Sequence, residues 1–247
     1  MKKYLLIMIS CVALFTWAAE PGAEGWFKRG VEIFQEQPET PDKSQLNESD
    51  IARGLREALN VGSENVVSLL GQENGFYLDS RAHIYLPESL QKVQHIMNRA
   101  GMGRMLDDLE LRMNRAAEQA TPKAREIFVE AISDMTLEDV MGIYNGPNDA
   151  ATRYFQGRMT PQLSEEFAPI IEQSLAEAGA LRVYDDIMGE YRQMPFVPDV
   201  KADLSEHVVE RSIKAIFDYL ALEEKAIRTN PVKQTTAVLR KVFGRDF

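Results

Sequence analysis

From Asn47 to Phe243, apolar residues return every three or four positions almost without a break. That spacing lines them up on one side of an α-helix, which turns about 100° per residue. It leaves no alternating run long enough to found a sheet. The exception is "GQENGFYLDSRAHIYLP", residues 71–87. There Asn74-Gly75 signals a turn, and "AHIYL" alternates as a short strand or extended arm would. The reading is all-α: a single bundle-like domain of about nine or ten helices, with an irregular or extended arm near residues 71–86.

Local signals place the helix ends. Asn47 caps the first helix, with Asp50 three residues on, and Thr136 pairs with Asp139 as a second capping box. The apolar side of the first helix reads Ile51, Leu55, Leu59, Val66, Leu69 and Leu70, with Gly62 as a point of bending. Thr121-Pro122 and Thr160-Pro161 each read as an N-cap followed by the favoured first-turn proline. Gly101, Asn145-Gly146 and Gly179 read as stops. A long helix runs from about Leu204 to Arg228, and a last short one reaches Phe243.

The start of the chain reads as an address. "MKKY" carries two lysines, an uncharged apolar run follows, and small residues precede Glu20 and Pro21. This is the pattern of a secretory signal peptide, with cleavage after Ala18 or one residue later. The expected layout is residues 1–18 signal peptide, 19–46 leader or linker, and 47–247 the helical domain. Cys11, the single cysteine, lies in the apolar run. It is either a lipid-modified cysteine or an ordinary apolar residue of the signal. The run continues past Cys11, which favours the second. The mature chain then has no disulfide, no thiol chemistry and no cysteine–zinc site. No later run is apolar enough to span a bilayer. The expected location is the periplasm of a two-membrane host.

A net charge of −10 repels phosphate backbones and excludes nucleic acid as a natural partner. A 45% hydrophobic, 27% charged composition is that of a globular protein able to fold without staples.

Candidate polar residues come from helical projection. Across "ELRMNRAAEQATPKA" and the residues just upstream, Leu106, Leu109, Met113, Ala116 and Ala120 share a stripe. Asp108, Arg112, Arg115 and Gln119 lie mostly opposite, as a solvated flank. Glu110 and Asn114 sit at the stripe's edge, where a neighbouring helix half covers a side chain. In the long C-terminal helix, Val209, Ile213, Ile216, Phe217, Leu220 and Ile227 define the apolar side. Glu224 falls almost in line with Ile213 and Leu220. A carboxylate facing a core needs a partner, and Arg228, four residues on, supplies one. Glu110, Asn114, Glu224 and Arg228 are therefore the candidate polar binding cluster, set against the plainer reading of a buried structural ion pair.

Several stretches resemble, in order, the bacterial domain-of-unknown-function family 4197. They are "DIARGLREALNVGSENVVSLLGQENGF", "IYLPESLQKV", "ELRMNRAAEQATPKA", "MTLEDVMGIYNGPNDAATRYF" and "EEKAIRTNPVKQTTAVLRKVFG". The resemblance covers roughly residues 47–244. It implies an exported, mostly helical bacterial protein with no known reaction, so it carries over no catalytic residue. The stretch just before Glu223 departs from the family's usual pattern.

Chemistry-bearing motifs are missing. "GMGRML" follows no strand, so it is a helix break and not a phosphate loop. There is no "GxSxG" elbow. His83, His95 and His207 have no metal-ligand spacing; His83, beside Asp79, reads as an exposed loop histidine. No metal or cofactor is expected. The favoured function is a non-catalytic binding or envelope-accessory module, its partner an unidentified ligand or envelope protein. A second reading is a hydrolase or lyase using Glu110, Glu223 and Glu224 as acid–base carboxylates. A third is a carrier of a lipid or other apolar ligand, with methionines lining its cavity.

Overall fold

The computed structural model describes residues 47–101, 103–194 and 203–229. Among these the chain forms eight α-helices, one 3-10 turn and no strand. They are α1 (Glu48–Leu70), α2 (Glu88–Arg99), α3 (Arg104–Ala120), the turn Thr121–Lys123, α4 (Ala124–Ser133), α5 (Leu137–Tyr144), α6 (Ala150–Glu177), α7 (Ala180–Arg192) and α8 (Leu204–Thr229). The expected last helix, the connector after Met194 and everything before Asn47 lie outside the described residues.

The expected caps form where the side chains permit. Asn47 Oδ1 accepts the Asp50 N–H at 2.8 Å. Thr136 and Asp139 exchange both bonds of a capping box, at 3.1 and 2.9 Å. Gly101 and Gly179 adopt positive φ of 79° and 71° at the ends of α2 and α6, a conformation glycine takes without steric cost.

The two Thr-Pro signals act otherwise. The Thr160 hydroxyl donates back to the Gln156 carbonyl at 2.6 Å, and α6 runs unbroken through Pro161 and Pro169. A hydroxyl bonded to the preceding turn continues a helix instead of capping the next. Two expected helices thus become one, and the count among the described residues falls below nine. Thr121 bonds the Ala117 carbonyl at 2.8 Å in the same way, so α3 passes into α4 through a single tight turn.

The core is assembled around α6, which packs on α3 and α8, while α1 lies against α8, α4 and α5. Phe155, Met159, Leu163, Phe167, Ile171 and Leu175 run down the inner side of α6. Phe155 meets Phe128 of α4 edge to face, with centroids 5.6 Å apart, the arrangement favoured by ring quadrupoles. The projected stripes of α3 and α8 are buried as expected. On α1 the stripe needs one correction: Leu70 is buried but Leu69 is 42% exposed. Neighbouring helical residues point about 100° apart, so only one of the two faces the core. α1 also continues unbroken through Gly62. That glycine lies against Ile227 and Glu223 of α8 and marks a close approach of the two helices.

Candidate functional site

Residues 71–86 leave α1 as a series of turns and end in an extended stretch. Asn74 takes the left-handed conformation, φ 68°. Ala82, Ile84 and Leu86 point inward, at 3%, 1% and 1% exposure, and Tyr85 points out at 61%. This alternation is that of a strand with no strand beside it. Its buried N–H and C=O groups therefore lack ladder partners, and leaving them bare is costly.

Helix α3 supplies the missing partners. Glu110, Asn114 and Glu118 stand four residues apart, on one side of that helix. Asn114 is fully buried; its Oδ1 accepts the Ile84 N–H at 2.8 Å, and its Nδ2 donates to the Ile84 carbonyl at 2.9 Å. The amide thus pairs with one backbone residue as an opposing strand would. Glu110 accepts the Leu86 N–H at 3.1 Å. Glu118 accepts the N–H groups of Phe76 and Tyr77 at 3.0 and 3.1 Å. Three side chains on one helix edge therefore hold both ends of the arm.

Further contacts close the arm. Arg115 pairs with Glu118 and donates to Asn74 Oδ1 at 2.7 Å, and its guanidinium lies 6.0 Å from the Tyr77 ring centre. The expected solvated flank thus holds for Asp108 and Arg112, paired at 2.8 Å, and fails for Arg115. Asp79 accepts the Arg81 and Ala82 N–H groups at 2.8 Å each, and the Tyr219 hydroxyl of α8 at 2.5 Å. Burial raises the Tyr219 hydroxyl, and the Asp79 carboxylate adds to it, to about 12. Burial also works to raise Asp79, but the bonds from Tyr219, Ala82 and Arg81 outweigh it and hold the carboxyl below its ordinary range. His207 of α8 sits 2.9 Å from the Tyr85 carbonyl, and burial pushes its ring down from the usual histidine range.

His83 is not an exposed loop side chain: 14% of it is open to solvent. Its Nδ1 lies 2.6 Å from the Tyr77 carbonyl and its Nε2 2.8 Å from Glu110 Oε1. The rings of Tyr77 and Tyr85 flank it at 5.6 and 4.6 Å.

A second network joins α8 to the corner between α5 and α6. Glu224 Oε1 accepts the Ala151 N–H at 3.0 Å; Oε2 accepts the Thr152 N–H at 3.0 Å and its hydroxyl at 2.9 Å. Those are first-turn donors of α6, whose own flanking Asp149 makes no side-chain cap. A carboxylate is well placed at the positive end of a 28-residue helix. Arg228 donates to Glu224 Oε1 at 3.0 and 3.2 Å. It also donates to the carbonyls of Ile143, at 2.8 Å, and Tyr144, at 3.4 Å, in the last turn of α5. The ion pair thus bridges the carbonyl end of one helix and the amide end of the next. Both side chains are sequestered, at 6% and 10% exposure.

The profile of the family described as "Protein of unknown function (DUF4197)" matches residues 45–244, the span that holds both networks. The chain belongs to this family. Comparison with curated proteins and with solved structures finds no match in either.

In this DUF4197 chain the four candidate residues divide into two pairs. Glu110 and Asn114 serve the arm, and Glu224 and Arg228 serve the α5–α6 corner. Glu223 takes a different neighbour, accepting from Asn65 Nδ2 at 2.9 Å. A cavity of about 20 Å³ lies beside Glu224 and Arg228, walled by residues such as Leu55, Leu59, Gly62 and Leu220; that volume admits about one water molecule. Among the described residues no group of three or more His, Cys, Asp or Glu is placed to hold a metal ion, and no helix is long and apolar enough to cross a membrane. Glu118 and Asp79 were missed by projection. The i, i+4, i+8 spacing of Glu110, Asn114 and Glu118 was the signal that would have found the first.

Proposed function

We propose that this protein is a non-catalytic binding module of the cell envelope, and that the arm of residues 71–86 is its binding surface. The supporting observation is the contrast between how firmly the arm is held and what it shows. Its backbone is gripped by buried or half-buried polar groups of α3 and α8, while Leu78 is 72% exposed and Tyr85 61% exposed. A fixed loop that presents apolar side chains to water is suited to recognition, because little ordering entropy remains to be lost on binding.

The proposal includes export: residues 1–18 as a cleaved signal peptide, 19–46 as a linker, and the helical domain released into the periplasm, with Cys11 in the removed segment. The lysines, apolar run and small residues at the start of the chain support it. The acid–base alternative has less support. Glu224 has its oxygens filled by backbone, hydroxyl and guanidinium donors, and Glu110 faces the arm, so the carboxylates do not converge on one substrate atom.

Site-specific photo-crosslinking in the native cell tests the reading. A crosslinker at position 78 or 85 should capture one defined partner. Crosslinkers at Val129 and Leu181, also exposed at 51% and 47%, should not. Capture equal at all four positions, or at none, would remove the arm as the binding surface.

A further inference from the structure

Both ring nitrogens of His83 face hydrogen-bond acceptors: the Tyr77 carbonyl at 2.6 Å and the Glu110 carboxylate at 2.8 Å. A neutral imidazole carries one N–H, so it serves one of these contacts and turns a lone pair on the other. The imidazolium, with two N–H groups, serves both. We infer that His83 is a pH-sensitive latch, whose protonated ring ties the arm to α3 and whose neutral ring releases it. Histidine is the side chain whose charge changes in the range a cell envelope experiences.

The surroundings support one direction of switching. From α3, Glu110 brings a negative charge onto Nε2, and Glu110 Oε2 also holds the Leu86 N–H at 3.1 Å, so a change at His83 is felt at the far end of the arm. Arg115, also from α3, lies over the Tyr77 ring and is compensated by Glu118. From α8, Tyr219 reaches Asp79 and His207 reaches the Tyr85 carbonyl. From α2, Gln91 donates to the Leu86 carbonyl at 2.7 Å and brings no charge. Within the arm, Asp79 is occupied by Arg81, Ala82 and Tyr219. Among the described residues the negative group on the ring is Glu110, so the protonated state is the clamped state. The clamp is complete when the ring carries both protons and is lost when it gives one up.

As control of binding, this inference rests on the arm being the binding surface. The latch itself is read on the arm's own amides with no partner present, so the two ideas fail separately. Hydrogen exchange on the full chain gives the test, each amide rate being divided into its intrinsic rate at that pH. The protection factors of Ile84 and Leu86 should fall at least about tenfold from about pH 5.5 to about pH 8.5, while those of Phe155 and Leu163 in α6 stay level. The fall should persist in His207→Gln, which removes the other histidine at the arm. It should vanish in His83→Phe, which keeps a ring between the tyrosines and leaves protection low at both pH values. Level protection of Ile84 and Leu86 in the unaltered protein would overturn the latch, and so would a fall that disappears in His207→Gln.

Discussion

Glu224 caps a helix to which it does not belong, accepting the Thr152 N–H and hydroxyl at 3.0 and 2.9 Å from across the core. With Arg228 on the carbonyls that end α5, two residues of α8 neutralise both sides of the α5–α6 corner. Removing one member leaves the other buried without its counter-charge, which costs about 3–5 kcal/mol. Glu224→Gln and Arg228→Ala should each lower the melting temperature by about 6–20 °C, at about 2–4 °C per kcal/mol for a domain of this size. The double variant should lose less than the sum of the two. Melting like the unaltered protein would show that the pair is not coupled.

Gly62 inside α1 and Gly179 between α6 and α7 should answer a methyl group in opposite ways. At Gly62 an added Cβ meets Ile227 Cδ1 at 3.5 Å and Glu223 Cγ at 3.6 Å, ordinary contact distances. Gly62→Ala should leave the fold intact and stabilise it by about 0.5–1 kcal/mol through helix propensity. At Gly179, φ is 71°, and Gly179→Ala should destabilise by about 1–2 kcal/mol. Denaturant titration of both variants checks the signs; two changes of the same sign would contradict this packing.

Tyr219 and Asp79 make the arm's anchorage on α8 sensitive to extremes of pH. The hydroxyl is raised to about 12, so its contribution is full below the ordinary tyrosine range and is lost as pH rises through about 12. The Asp79 carboxyl is lowered, so its contribution is present above the ordinary aspartate range and is lost as pH falls through its depressed value. Tyrosine-ring NMR titration should show Tyr219 ionising well after exposed tyrosines, with Asp79→Asn moving it back toward them. Ionisation together with the others would contradict the hydrogen bond.

How much of this was legible beforehand depends on the kind of signal. The all-helical class and the stripes of α3 and α8 follow from spacing, because burial of a helix side is written into every turn. Glu224 was legible for the same reason: a carboxylate in line with Ile213 and Leu220 must be inside. Its receptor was not, since a first turn some 70 residues away leaves no trace in local spacing. Thr160-Pro161 failed as a helix start because the hydroxyl has two uses, and the sequence does not say which one packing selects. Residues 71–86 read as irregular, but the partners of their backbone did not, because long-range pairing by side chains has no period.

The most direct measurement of the whole account is hydrogen exchange along the arm, with and without Asn114. In the unaltered protein the amides of Phe76, Tyr77, Ile84 and Leu86 should all be protected, although no strand or helix contains them. In Asn114→Ala, the Ile84 N–H and C=O lose their partner, at about 1–3 kcal/mol for each buried group left bare. Protection at Ile84 should then drop about tenfold or more, while α6 is unchanged. If those four amides exchange in the unaltered protein as freely as an open loop, α3 does not hold the arm, and the binding surface proposed on it loses its foundation.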